Sequence, residues 1–506
     1  MVESINFYRY YYQFRFAEAL ANRNERLPER STTEVYAYYR LGLHTTVANS
    51  ICAKDHWRSN FARAVSLAAC GRTDEAADVV RHLLASRGHS RYLNMLAGAL
   101  APYAPMLALE LTRQSTAPVP LHAALLLRVG EREQAVNLLR NAIQLGNARK
   151  LSELHLLRSN AAPADPLTQL AHMNAFLGAY SLPALALRDS SHPPGVGNLK
   201  QAGSLPPVDG PLVSVLMTAF QASQRIASAI NSLLEQTYRN IEIIVVDDAS
   251  DDGTGDIVKS LAKRDPRVIY LRLPCNVGTY VAKSIGLRHA SGEFVTCHDS
   301  DDWSHPLRIE LQVRPLLENK RLIFTTSLWV RIQDDGMYYA RQLHPLLRLN
   351  PASPLFRKDI VLAQAGGWDL VRTGADSEFI ARLKLVFGRR AMRRIALPLA
   401  FGAHRPDSLM NAADTGYCAA GMSPIRLAYW EAWGHWHINE LRAGRRPYIS
   451  PDMLAARRFE APEEILVAPQ AIQHCLTSPD VCSQSGSAAR GQNNHDSAST
   501  AGGLGQ

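Results

Sequence analysis

Two apolar runs of strand length constrain this chain most. Leu212–Thr218 reads LVSVLMT, and Ile241–Val246 reads IEIIVV before the pair Asp247-Asp248. A strand wetted on one face alternates apolar with polar residues, whereas a near-continuous apolar run belongs to a parallel strand covered on both faces. Between the two runs, Ala222–Gln236 places Ile226, Ile230, Leu233 and Leu234 on one helical face. The alternation continues, with Asp256–Lys263 as a helix, Val268–Leu273 as a strand, Thr279–Ala290 as a helix and Glu293–Cys297 as a fourth strand. Strands and helices alternating through short connections make βαβ units with right-handed crossovers, hence a mostly parallel, Rossmann-like sheet. Ligands bind such sheets beyond the carboxyl ends of the strands, and here those ends carry acidic residues.

At 506 residues the chain is too long for one core, so further regions are expected around this α/β domain. Residues 1–187 are rich in Ala, Leu and Arg at helical spacing and read as an all-α region of helical hairpins. Ala69–Arg81 (ACGRTDEAADVVR) and Arg128–Arg140 (RVGEREQAVNLLR) are similar, each a helix end, a Gly turn and a second helix opening on acidic residues and Ala. They resemble tetratricopeptide-like hairpins, although the usual period and signature aromatics are missing, so a generic helical bundle stays open. Residues 188–210 are rich in Pro, Gly and Ser and read as a linker. The α/β domain takes 211–408, a helical extension 409–482, and a polar tail 483–506 that is too poor in large apolar side chains to fold.

The sharpest chemical signal is Asp299-Ser300-Asp301-Asp302, directly after the fourth strand. Three carboxylates in four residues repel one another and call for compensation. A hard divalent cation, Mn²⁺ or Mg²⁺, supplies it, since such ions prefer carboxylate and phosphate oxygens. Taken alone, the motif reads equally as a solvated acidic turn. The formal charge of +9 favours anionic partners without choosing among them. Seven cysteines with no CxxC pair suggest reduced thiols rather than a zinc site or disulfide framework. No secretion signal is legible at the N-terminus. The longest apolar run, Leu322–Val330, is strand-sized, so a cytoplasmic protein is expected, peripheral at the inner face of the cell membrane at most.

Three segments in order, PLVSVLMTAFQAS, EIIVVDDASDDGT and NVGTYVAKSIGLRHASGEFVTCHDSDDWSHPLRIELQ, closely resemble the family 2 glycosyltransferases of the GT-A fold, in particular bacterial members carrying HDSDDW. The resemblance covers about 211–408. It implies that Thr218 and Phe220 contact a nucleotide base, Phe220 by stacking, and that Asp248 reads the base edge, with Asp247 beside it. It places Lys283 near the diphosphate, Asp301 and Asp302 at the nucleotide and metal, and Asp299 at the head of the metal motif. Within Gly374-Ala375-Asp376-Ser377-Glu378, Asp376 matches the catalytic base. The stretch His404-Arg405-Pro406-Asp407-Ser408 resembles a closing segment over the site, where His404 is a candidate metal ligand. Gln221 and Ser284 replace commonly found Asn residues, and Ala375 replaces the Glu of a Glu-Asp pair. Glu378 is left as a rival base, expected to tolerate Gln better than Asp376 tolerates Asn.

The implied activity is an inverting, metal-dependent transfer of a sugar from a nucleotide-sugar donor, a UDP-sugar first, to a glycan, lipid-linked or protein acceptor in bacterial surface polysaccharide synthesis. Nucleic acid is not among the implied partners. Two competing readings are a sugar-nucleotide nucleotidyltransferase and a non-catalytic adapter carrying a relic domain. The first wants a Gly-rich basic loop after the first strand, which Thr218-Ala219-Phe220-Gln221 is not, and intact Asp301, Asp302 and Asp376 oppose the second. Trp303 reads equally as pocket lining or core, and the Trp430–His437 cluster as a buried helix.

Overall fold

The computed structural model describes residues 2–23, 29–86, 90–146, 151–162, 165–405, 416–418 and 421–478. The tail 483–506 and Pro406, Asp407 and Ser408 of the expected closing segment lie outside the described residues.

A ten-stranded sheet organises the α/β part. Its main strands are β1 (Val213–Ala219), β2 (Ile241–Asp247), β3 (Val268–Arg272), β4 (Phe294–Cys297), β5 (Trp303–Ser304), β6 (Phe324–Ile332), β7 (Leu355–Arg357) and β8 (Met392–Ala403). The order across the sheet is β3-β2-β1-β4-β7-β6-β8-β5, with two short strands added on β6. The β3-β2-β1-β4 half is parallel throughout, as is the β6–β8 pair, while β7 and β5 run antiparallel to their neighbours. The strand order reverses between β1 and β4, and a crevice at such a switch point is where doubly wound sheets take ligands.

Side-chain alternation explains why β2 is buried at all seven positions. Val213, Val215, Met217, Ile243 and Val245 face one side with helices α5 (Ile226–Leu234), α6 (Thr254–Arg264) and α8 (Arg308–Glu318), once the helices upstream are numbered α1 (Trp57–Ala69), α2 (Thr73–Ser86), α3 (Val119–Val129) and α4 (Arg132–Gln144). Leu216, Ile244 and Val246 face the other side with α7 (Thr279–His289), α9 (Ala375–Phe387) and α10 (Pro424–Arg442). Each such Val, Leu or Ile side chain is worth about 1.5–3 kcal/mol when fully buried.

The N-terminal region is helical, and the two similar segments fall at equivalent corners. Gly71 turns α1 into α2 at φ +79°, and Gly130 turns α3 into α4 at φ +90°. Both are left-handed conformations that favour glycine. The first residues of the region, Phe7 to Val47 with Ala62, gather in a cluster that Ile438 of α10 completes, while the rest of the region shares its core with the sheet. Phe61, Leu100, Leu125, Leu156 and Phe176 share one apolar cluster with Trp303, Val330, Ile332, Phe401 and Ala403 of the sheet. The stretch read as a linker joins the same cluster through buried Val196 and Leu199, and its Leu199–Gln201 pairs antiparallel with Leu185–Leu187. Polar contacts cross the same boundary. Asn160 and Tyr338 exchange two hydrogen bonds of 2.7 and 2.8 Å, and the Glu153 carboxylate accepts from the backbone N–H of Leu346 and of Leu347.

The helix α10 carries the Trp/His cluster with Trp433, Trp436 and His437 buried. Trp303 is a fully buried core residue. Among the described residues, no helix is long and apolar enough to cross a membrane.

Candidate active site

The candidate site lies at the carboxyl ends of β1, β2 and β4, and its centre is Lys283. A lysine inside α7 with its side chain 1% exposed must find carboxylates, because an ammonium loses its hydration on burial. Lys283 Nζ lies 3.4 Å from both oxygens of Asp376 and 3.8 Å from Asp299 Oδ1. Burial works against the ammonium, but Asp376 and then Asp299 outweigh it and raise its pKa well above the ordinary lysine value. The Tyr280 hydroxyl, one helical turn earlier, donates to Asp376 Oδ2 at 3.1 Å. Asp376 opens α9 after Gly374 at φ +89°, and Phe379, Ile380 and Leu383 anchor that helix. Burial raises the Asp376 pKa, Lys283 opposes the rise and Asp299 adds to it. The structure thus joins Asp376, Lys283 and Asp299 in one cluster.

The acidic motif distributes its carboxylates in different directions. Asp301 accepts from the Arg405 guanidinium, at 3.2 Å from Nε and 2.9 Å from Nη2. Asp302 is 4% exposed, and its Oδ1 accepts from the backbone N–H of Ala403 at 3.0 Å. Its other oxygen, Oδ2, is buried without a hydrogen-bond partner. Burial, then the charges of Asp301 and Asp299, raise the Asp302 pKa well above the carboxylate range. Burial and Asp299 likewise raise that of Asp301, against the pull of Arg405.

His404 stacks on Tyr339 with ring centroids 3.6 Å apart, and its Nδ1 has no hydrogen-bond partner. Burial, then Arg331 and Arg128, push its pKa down to about 4, so the ring is neutral near pH 7. Among the described residues, no group of three or more His, Cys, Asp or Glu side chains is gathered to hold a metal ion. Asp299, Asp302 and His404 are therefore not assembled as a closed ligand set. The orphaned Asp302 Oδ2 and the mutual repulsion of the three carboxylates are nevertheless what a hard cation would relieve, so the residues present fit one.

Thr218 and Asp248 sit where β1 and β2 end. The Thr218 hydroxyl lies 2.7 Å from that of Thr279. Asp248 accepts from the backbone N–H of Val277 and of Gly278, each at 2.7 Å, so its first task is to shape the loop opening α7. Phe220 is 52% exposed at the end of β1, next to Gln221 at φ +50°. Asp247 is buried under the Tyr270 hydroxyl at 2.7 Å and Arg272. Glu378 is fully buried, paired with Arg382 at 2.8 Å and accepting from His437 at 2.9 Å. Its expected tolerance of Gln is corrected accordingly, because it holds α9 to α10.

Three participants went unnoticed from residue patterns alone. Tyr280 was legible in principle, three positions before Lys283 on one helical face. The Arg372 guanidinium donates to Asn276 at 2.8 Å, which fixes the same loop that Asp248 holds. Arg331, buried beneath Tyr339, feels the charges of Asp302 and Asp301 and is brought there by strand pairing that no local pattern announces.

The model of Glycosyl transferase family 2 matches residues 214–378, about a third of the chain and the part that holds every site residue above except His404 and Arg405. The Streptococcus pneumoniae glycosyltransferase GlyA is 32% identical over 127 residues, 25% of this chain. The chain spans 18% of that relative's length and 44% of a Haemophilus influenzae glycosyltransferase that is 37% identical over 109 residues. Among solved structures, S. aureus TarS 1-349 in complex with UDP-GlcNAc aligns with a TM-score of 0.35 at 18% identity, covering 46% of this chain and 65% of that one. The mannosyltransferase PcManGT of Pyrobaculum calidifontis, in complex with GDP-Man and Mn²⁺, aligns at 0.30 and 19% identity, covering 40% of this chain and 59% of that one.

Proposed function

We propose that this chain, whose residues 214–378 are a family 2 glycosyltransferase domain, transfers a sugar from a nucleotide-diphosphate donor to a hydroxyl of a glycan with inversion at the anomeric carbon. The observation that carries the reading is the Asp376–Lys283–Asp299 cluster at the carboxyl ends of the parallel strands, within that domain. An acceptor hydroxyl is a weak nucleophile until a carboxylate takes its proton during attack. Asp376 takes this proton as the new carbon–oxygen bond forms and the bond to the diphosphate breaks. Lys283 favours the ionised form of Asp376, and the Tyr280 hydrogen bond fixes which oxygen faces the acceptor. One displacement needs no enzyme nucleophile.

Asp302 is the proposed holder of Mn²⁺ or Mg²⁺, with Asp301, Asp299 and His404 as the further candidates, and the ion when bound would neutralise charge developing on the leaving diphosphate. Thr218, Phe220 and Asp248 face the base side, and a UDP-sugar is the first donor to test. The acceptor belongs to surface polysaccharide synthesis in this reading.

The test screens the purified chain against nucleotide sugars with Mn²⁺, reading donor hydrolysis and thermal shift. Hydrolysis is expected to vanish in EDTA and return with Mn²⁺, and Asp302→Asn to weaken metal-dependent nucleotide binding. Asp376→Asn should keep nucleotide binding while turnover falls by about 10²- to 10⁴-fold. Full turnover in chelator, or in Asp376→Asn, would falsify the respective assignment.

A further inference from the structure

A cavity of about 1410 Å³ opens between the helical region and the α/β part. Ser377, Ile380, Ala381 and Lys384 present one stripe of α9 to it, and Ser377 directly follows the proposed base Asp376 in the chain. Arg331 and Tyr339 line it as well, and Tyr339 is the ring on which His404 stacks. The opposite wall comes from Gln13–Glu18, Arg40 and Leu41 of the N-terminal region and from Trp430 and Trp433 of α10.

Its charge is one-sided. Among the described residues lining it, nine are Arg or Lys and one, Glu18, is a carboxylate, which is already paired with Arg15 at 2.8 Å. Arg389, Arg390 and Arg394 gather at the C-terminal end of α9 around Lys384. Burial, then Arg389 and Arg394, lower the Lys384 pKa, so these cations crowd one another and an anion would relieve them. Seven aromatic side chains share the lining, among them Trp329, Trp430 and exposed Phe14. Aromatic faces beside fixed cations suit a chain of sugar rings bearing negative groups, and a concave cleft suits a chain better than a flat bilayer.

Resting on the glycosyltransferase reading above, we infer that this cavity is the acceptor site and that the acceptor is an anionic glycan, its charges carried by uronate carboxylates or by phosphodiesters. The helical region then completes the site by supplying one wall of the acceptor cleft.

The experiment titrates the full chain, in EDTA and without nucleotide, with an oligogalacturonate, a glycerol-phosphate oligomer and a neutral malto-oligosaccharide of matched length, reading tryptophan fluorescence and calorimetry. Nucleotide-sugar binding with Mn²⁺ is measured in parallel, so failure of the donor site is seen separately. At least one anionic oligomer should bind tenfold or more tighter than the neutral one, and the better of the two identifies the anionic group. Arg390→Ala/Arg394→Ala should lose about tenfold of that binding with donor binding and melting temperature kept. Arg445→Ala/Arg446→Ala, which removes two cations outside the cavity, should change it less than about twofold. Equal affinity for the neutral oligomer, or equal losses in the two double variants, overturns the proposal. Binding to anionic phosphatidylglycerol vesicles that the first double variant abolishes, with no oligomer bound, replaces it by a membrane-facing surface.

Discussion

Lys283 decides how the candidate base behaves. Burial and Asp299 both push Asp376 toward its neutral form, and Lys283 is the neighbour that opposes them most. Lys283→Met should therefore raise the Asp376 pKa further. The acid limb of the kcat/KM profile then moves to higher pH, and activity near neutrality falls more than activity at alkaline pH. A profile of unchanged shape in that variant would show that Asp376 is not the titrating base. Tyr280→Phe removes one hydrogen bond to the same carboxylate and should cost about tenfold or less in kcat, with donor binding intact. At this scale the acidic motif, Asp376 and Lys283 were legible because each sits in a contiguous pattern. The pairing of Asp301 with Arg405 was not, since β8 has to return beside β6 to deliver the arginine.

Helix α9 carries Asp376 at its first turn and is held from behind by an internal ion pair. Arg382, fully buried, pairs with Glu378 and donates to the backbone carbonyls of Ala365 and Gly367, while His437 ties Glu378 to α10. Glu378→Gln leaves that guanidinium without its counter-charge, and loss of one partner of a buried pair costs about 3–5 kcal/mol. The variant should melt earlier and lose activity through the fold. Burial alone would raise the Glu378 pKa, but Arg382 and His437 hold it at about 2, below the ordinary value of 4.5. A carboxylate with a lowered folded-state pKa contributes stability above its unfolded pKa and loses it as the pH falls through the folded one. Acid should therefore withdraw about 3 kcal/mol between about pH 4.5 and 2, and Glu378→Gln should flatten that part of a stability–pH curve. The strands and helices of the parallel half were readable from apolar period alone, to within a few residues. Strand β6 coincides with the strand-sized apolar run Leu322–Val330, whereas β5 and β7 were not readable, because antiparallel pairings of two and three residues leave no comparable run.

The helical region and the sheet share one apolar cluster, and that governs how the whole molecule divides. Composition marks a Pro/Gly/Ser stretch at 188–210 and by itself would let a fragment starting near Ser204 keep the donor site. Val196 and Leu199 inside that stretch belong to the same buried cluster as Trp303 and Phe401, which composition does not reveal. The fragment should instead expose the sheet side of the cluster and aggregate, whereas the intact chain should melt in one transition covering both parts. A monomeric 204–506 fragment with native nucleotide affinity would show the shared cluster to be dispensable. The shared cluster also sets a schedule for synthesis. The helices leave the ribosome first, and the apolar face that Trp303, Val330 and Phe401 will cover waits for roughly two hundred more residues; at about 5–20 residues per second this is ~10–40 s. During that interval the newborn chain displays a surface that only its own unmade half can hide, so cells making this protein must shelter it.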